Sequence, residues 1–530
     1  MTIECKGGWQ EPSTSRTNKA PMKIWPQIMV ALTTALAHLA LGGVISYTAI
    51  ALPELKSKNL APPQELHSFF HGSLNVLAEE LYTETSPSID FVTIDYTEEV
   101  VEKENQEVDP GVTEGAALAK RHGRDVTCRQ ASGIHTGGAV IGCLVCGTLM
   151  SMVGQRRAIL IAAPITFLTW FAVALAPMAS LLIIARLIAG VCIGVLGTSA
   201  HMYIMEIAHE SIRGALVGLA DLFVGLGVLL TYGLGASSLG WRWSAAVLGV
   251  VTCIPVSLGL MFFPDSPRWL AAKGRTEDAK ESLQFLRGKF HDVTPELEQI
   301  LKAASARDIG VCQKIGLLRK PSIRKPFLIV CGVFFFNQLS GNYVIYSYST
   351  MIFQAAKTSF SPTMSSVLVG VARLLGSITG LFVVENLGRR PALFIGGIGV
   401  AVSFGSLGVF FHMQATDISS VAQLGWLPLT CLFSFTFIFA ATTSPIPFLL
   451  SGELQPLSFR SVGSAGSKIV FFLTNLAVTF SYPYMALFVG DAVTFWLYSV
   501  ASIGLVILVW IAVPETKGKS LEQIEAFFQN

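Results

Sequence analysis

Twelve apolar runs, each long enough to cross a bilayer, restrict this chain more than any single motif does. A membrane helix needs about 20 apolar residues to cover about 30 Å of hydrocarbon. Residues 24–53 contain no Asp, Glu, Lys or Arg, and further runs lie near 132–154, 158–178, 180–203, 214–238, 243–264, 326–352, 363–384, 391–412, 422–451, 461–486 and 491–513. Lipid offers the backbone no hydrogen-bond partners, so runs of this kind must be helices. The bulk agrees: 14% of the 530 residues are charged, against roughly 25% in soluble domains. The expected fold class is an all-α membrane protein with twelve transmembrane helices. A nucleic-acid partner is not expected, because no basic cluster is large enough to neutralise phosphates.

Basic residues in short loops orient the spans. Arg156, Arg157, Arg213, Arg389, Arg390 and Arg460 fall on one side of a twelve-span arrangement, as does the segment 266–326 with thirteen Lys/Arg against seven Asp/Glu. That side, with both termini, is expected to be cytoplasmic. The loop near 54–130 opposes it, with thirteen acids and one base between Glu65 and Glu114; long acidic loops translocate regardless of charge. Cys143 and Cys146 form a CxxC inside an apolar run, where small packed side chains are expected rather than a metal site.

The two halves echo each other. Glu206 precedes Arg213 by seven residues in MEIAHESIRG, and Glu453 precedes Arg460 by seven in GELQPLSFRS, an offset of 247 in both cases. GTLMSMVGQRR (147–157) parallels GLFVVENLGRR (380–390), and PDSPR (264–268) parallels PETKG (514–518). Two bundles related by a parallel repeat describe a transporter. The expected divisions are a tail at 1–23, a first bundle at 24–264, linker helices at 265–325, a second bundle at 326–513 and a tail at 514–530. Arginine forks and carboxylates at the basic helix ends suit a gate, pairing between the halves when that side closes. The gating set is Arg156, Arg157, Arg186, Glu206, Arg213, Arg268, Glu385, Arg389, Arg390, Glu453 and Arg460; simple topology anchoring remains the alternative.

These motifs, in their order and spacing, carry a resemblance. Arg186 with Gly190, Gly194 and Gly197; Tyr203-x-x-Glu206 with Arg213-Gly214; PDSPRWL (264–270); NQLSGN (337–342); ENLGRR (385–390); SPIPF (444–448); and PETKGKSLEQIE (514–525) are similar to those of the sugar porters of the major facilitator superfamily. The style of the chain resembles the insect facilitated trehalose transporters among them. The resemblance implies two pseudo-symmetric six-helix bundles with a sugar site between them, no cofactor and no enzymatic step. Sugar recognition needs amides and hydroxyls for the OH groups and aromatic faces for the C–H surface. The candidates are Asp221, Asn337, Gln338, Asn342, Tyr343, Phe448 and Asn475. Several depart from the family pattern: its first Gln is Asn337, its Asn is Tyr343 with Asn342 one place early, its PW is Pro447-Phe448, and its Asn-Trp pair is Phe471-Phe472.

Asp221 stands where the family has a sugar-contacting Gln, eight residues past Arg213 and about 12 Å along the helix. A carboxylate at that depth needs a partner or water. Three readings stay open: a substrate ligand, a proton site, or a structural partner of Arg373 or His135. The resemblance implies that a proton-coupled member would carry an Asp in the first run facing Arg186; that run has no carboxylate, so facilitated diffusion is expected over proton coupling. The chain is therefore expected to be a monomeric uniporter of a neutral sugar such as trehalose or glucose in the cell membrane. A poorly transporting sugar sensor, or a proton-coupled carrier of a sugar, polyol or other small solute, is the alternative.

Overall fold

The computed structural model describes residues 23–57, 133–177, 179–209, 212–305, 316–417, 421–456, 459–519, 523–524 and 527–528. The acidic loop lies outside the described residues. All regular structure within them is helical. The first bundle comprises α1 (Trp25–Ser57), α2 (Ile134–Val153), α3 (Gln155–Leu175), α4 (Ala179–Ile207), α5 (Arg213–Ala236) and α6 (Gly240–Met261). Three short helices follow: α7 (Pro267–Ala272), α8 (Thr276–Arg287) and α9 (Thr294–Ser305). The second bundle holds α10 (Pro321–Leu339), α11 (Asn342–Ala355), α12 (Pro362–Leu387), α13 (Arg389–Thr416), α14 (Leu427–Ile438), α15 (Ile446–Glu453), α16 (Arg460–Phe488) and α17 (Asp491–Ala512). Taking α10–α11 and α14–α15 as one span each, twelve segments are long and apolar enough to cross a membrane.

Two of the twelve runs are broken helices, and the breaks follow from the sequence. Gly341 between α10 and α11 has φ 77°, a left-handed conformation costly for residues with a Cβ. Pro445 and Pro447 remove backbone donors between α14 and α15, where a π-helical turn covers Phe439–Thr443. Both breaks free backbone carbonyls at cavity depth, as broken membrane helices do.

Lipid offers no hydrophobic drive for helix association, so close packing must supply it. Gly138 and Gly142 of α2 interlock with Gly190 and Gly194 of α4. A Cβ at Gly190 would fall 2.0 Å from the His135 carbonyl oxygen, and one at Gly142 would fall 2.2 Å from that of Val191. Gly42 of α1 and Gly227 of α5 make the same kind of approach, with a Cβ at Gly42 falling 2.2 Å from the Val224 oxygen. Cys143 and Cys146 sit in the α2–α4 seam, their thiols 3.2 Å from Thr198 Oγ1 and 3.3 Å from Ser199 Oγ. They are packing residues there, and no cluster of metal-ligating side chains occurs among the described residues.

The repeat is visible in the backbone. Gly154 has φ 90°, ψ 162° before α3, and Gly388 has φ 91°, ψ 173° before α13. The same turn therefore launches the third span of each half.

Candidate functional site

The repeat also sets the charges at the basic end of the bundles. In the first half Asp265, from PDSPR, receives Arg156 and Arg157, each at 3.3 Å. Arg156 also donates to the carbonyls of Leu260 and Met261, and the Ser266 hydroxyl donates to Glu206. In the second half Arg389 pairs with Glu453 at 2.9 Å, and the Thr516 hydroxyl donates to the other Glu453 oxygen at 2.6 Å. Glu515, from PETKG, accepts the backbone N–H groups of Arg389, Arg390, Thr516 and Lys517. Burial opposes ionisation of Glu515, but those four donors outweigh it and hold its carboxyl below the usual range. Each half thus carries its own clamp: Arg pair, motif carboxylate, and Glu bonded by a Ser or Thr hydroxyl.

Among the described residues, the basic-end pairs Arg156–Asp265, Arg157–Asp265 and Arg389–Glu453 each form within one half. Glu385 is exposed and lies across from Gly214 of the first half. The side chains of Arg213 and Arg460 lie outside the described residues. Arg268 sits near Glu296 of α9, which makes a bidentate pair with the fully buried Arg287 at 2.9 and 2.6 Å. Arg186 is not at the basic end at all. It is buried deep in α4, 2.6 Å from Thr48 Oγ1, 3.5 Å from His135 Nδ1 and over the Tyr47 ring. Asp265 and Glu515, outside the expected set, are the partners of the Arg pairs in the two halves, and the PDSPR/PETKG repeat is the sequence signal that points to them.

The central cavity lies between the halves, about 990 Å³ of empty space including the part open to solvent. Of the sequence candidates, Asp221, Asn337, Gln338, Asn342, Tyr343 and Phe448 line it, and so does Phe472. Asn475 does not: it is 1% exposed and accepts a bond from Thr479 within its own helix. The Asn342 side chain faces the cavity while its Oδ1 takes the Tyr343 N–H at 2.6 Å, fixing the start of α11 after the break. Asn337 donates to the Thr443 carbonyl freed by the α14–α15 break and accepts from Gln338 at 2.9 Å.

Asp221 resolves into an ion pair. Its Oδ1 receives Arg373 Nη2 at 2.7 Å and its Oδ2 receives Nη1 at 3.2 Å. Ser444 donates to Oδ1 at 2.7 Å and Ser377 to Oδ2 at 2.8 Å. Arg373 is 3% exposed and Asp221 16%. Among the described residues this is the one ion pair that joins the two halves. A buried Arg–carboxylate pair survives desolvation only with such bidentate geometry and with its spare lone pairs bonded. Of the three sequence readings, the structural partner is the one with contacts; His135 lies with Arg186 instead.

Lys468 of α16 also lines the cavity, 6% exposed, and was missed. Its signal was present: it is the only charge between Arg460 and Asp491, and the offset of 247 that maps Glu206 onto Glu453 maps Asp221 onto Lys468. The equivalent positions of the two halves thus bear opposite charges. His38 of α1 and His201 of α4 complete the titratable lining. Two repeat-related helical bundles with a largely apolar cavity between them, set with a few polar and charged side chains, are the architecture of a membrane carrier.

The comparisons identify which kind. Residues 93–528 match the family model described as Sugar (and other) transporter, so this multi-pass membrane chain belongs to the sugar porters of the major facilitator superfamily and is not an enzyme. It is 32% identical to the facilitated trehalose transporter Tret1 of Apis mellifera ligustica over 74% of this chain and 77% of that one. It is 29% identical to Tret1 of Anopheles gambiae over 96% of this chain but 57% of the mosquito protein, so it spans little more than half of that relative. In fold it is similar to the proton:xylose symporter XylE bound to 6-bromo-6-deoxy-D-glucose, with TM-score 0.71 and 22% identity over 96% of this chain and all of that one.

Proposed function

We propose that the chain is a facilitated sugar carrier working by alternating access, with trehalose and glucose as the first substrates to test. The observation that carries this reading is the cavity between the halves with contacts on both sides of it. Towards the basic end, the His201 and Phe448 rings lie 5.4 Å apart and Met205 packs against Gly452. Towards the other end, Ser347 donates to the Ile45 carbonyl at 3.2 Å and Tyr232 to that of Tyr346 at 2.8 Å. A carrier must break one of these contact sets at a time, and substrate binding shifts the balance between them. The names of the Tret1 relatives support a sugar as cargo. The basic end, with both termini, is read as cytoplasmic from the loop charges, the membrane as the cell membrane, and the working unit as a monomer without nucleic acid.

Uniport fits better than proton coupling. Asp221 is already committed to Arg373, and Arg186 has no carboxylate within ion-pair distance among the described residues. A weakly transporting sugar receptor is the second reading, favoured by one observation: the Asp221–Arg373 pair ties the bundles together at mid-depth. Uptake of labelled glucose and trehalose into proteoliposomes, with and without an inward proton gradient, tests all three. Saturable uptake indifferent to the gradient supports uniport, accumulation above the outside concentration requires coupling, and binding without uptake leaves the receptor.

A further inference from the structure

The cavity holds more positive charge than its lining can neutralise. Among the described residues Asp221 is the only carboxylate lining it, and both oxygens of Asp221 are taken by Arg373, Ser377 and Ser444. That leaves the Lys468 ammonium. It comes from α16 at the position equivalent to Asp221 in the repeat, is 6% exposed, and makes no ion pair or hydrogen bond with any described residue. The titratable groups close enough to influence it are the thiols of Cys143 and Cys146, both already engaged with α4 hydroxyls, and the imidazoles of His38 and His201. A buried ammonium without an anion is costly, and an anionic ligand removes that cost. Three residues lining the same space carry a buried polar atom without a hydrogen-bond partner: Gln338 at Oε1, Tyr346 at its hydroxyl and His38 at Nδ1. Beside them stand the faces of Phe448, Phe471 and Phe472.

We propose that this cavity binds a sugar bearing a carboxylate, such as a uronate, with Lys468 holding the carboxylate and the free amide and hydroxyl atoms holding sugar OH groups. The proposal rests on the sugar-carrier reading and narrows its substrate class. A charge-assisted bond is stronger than a neutral one, so the acid is favoured over the matching neutral sugar. The aromatic faces and the orphaned hydrogen-bonding atoms are what select a sugar acid over a small carboxylate.

The test is calorimetric titration of the full chain in lipid nanodiscs with D-glucuronate, D-glucose and acetate, for the wild type, Lys468→Gln and Lys468→Arg. The expected result is glucuronate binding about tenfold tighter than glucose, with the preference lost in Lys468→Gln and kept in Lys468→Arg. Glucuronate binding no tighter than glucose, or a preference that survives Lys468→Gln, overturns the proposal, as does acetate binding as tightly as glucuronate. If the glutamine variant does not fold, competition decides on the wild type: glucuronate must displace labelled glucose at lower concentration than unlabelled glucose does. Proteoliposome uptake separates the two readings. Glucose uptake with no glucuronate binding sinks the acid site and leaves the carrier standing, whereas glucuronate binding with no uptake of either sugar supports the acid site and sinks the carrier.

Discussion

Asp221 of α5 and Arg373 of α12 meet across the interface of the two bundles, joined by bonds of 2.7 and 3.2 Å and flanked by Ser377 and Ser444. Where a sugar porter is expected to offer an amide to its substrate, this chain has built a link between its halves.

Removing one partner of a buried pair strands the other charge, which costs about 3–5 kcal/mol, whereas replacing both is often close to neutral. Asp221→Asn and Arg373→Gln are each expected to lower the melting temperature strongly, and the double substitution to recover most of the loss. Thermal unfolding in nanodiscs measures the cycle. If the single effects simply add, the pair does not couple the bundles.

Glu515 gives a pH signature. Its carboxyl is held below the ordinary value by four backbone donors despite partial burial. The stabilisation is therefore present above the ordinary carboxylate pKa of about 4.3 and is lost as pH falls through the lowered value. Glu515→Gln is expected to cost about 1 kcal/mol at pH 7. The gap between wild type and variant should close below about pH 4; a gap that stays constant down to pH 3 contradicts this origin.

Glu296→Gln exposes a different dependence. Arg287 is 2% exposed and has Glu296 as its bidentate partner, with the Ile207 carbonyl as its other acceptor. Losing the carboxylate leaves a buried guanidinium half satisfied, at a cost of about 3 kcal/mol. Proteolysis should then cut the α7–α9 segment faster while the membrane helices stay protected. Unchanged cleavage would mean that this pair does not hold the segment.

Gly190→Ala should loosen the first bundle. The new Cβ would lie 2.0 Å from the His135 carbonyl oxygen, a backbone atom that cannot rotate away, so α2 and α4 must separate. Overpacking of this kind costs about 1–3 kcal/mol. Gly147→Ala is the matched control, because nothing lies within 4 Å of its Cβ position. Equal melting temperatures for the two variants would rule out tight α2–α4 packing.

Fold and site differed in how far they could be read from the residues alone. The twelve spans were legible because lipid leaves the backbone no alternative to helix, and the breaks at Pro445 and Pro447 because proline cannot donate. Asp221, Gln338 and Phe448 could be assigned to the cavity because they stand at motif positions of the family the chain resembles, and for Asp221 residue count along the helix adds the depth. Partner choice could not. Arg156 turned to Asp265 and Arg389 to Glu453, each within its own half, because pairing depends on how the bundles tilt, which no spacing encodes. Asn475 lies on the same face of α16 as Lys468 but two turns further along, where it is buried and takes a bond from Thr479. Lys468 was legible in the sequence, because the repeat offset of 247 maps Asp221 onto it.

The link between α5 and α12 also limits the paths by which such a chain can arise or be rebuilt. Neither Asp221 nor Arg373 is tolerable without the other, so a lineage passing from neutral amides to this pair must change both sites nearly together or cross a damaged intermediate. The same applies at the bench. A chimaera joining this first bundle to the second bundle of a relative that lacks Arg373 inherits an orphaned carboxylate, and the two halves, though built on one repeat, are no longer interchangeable parts.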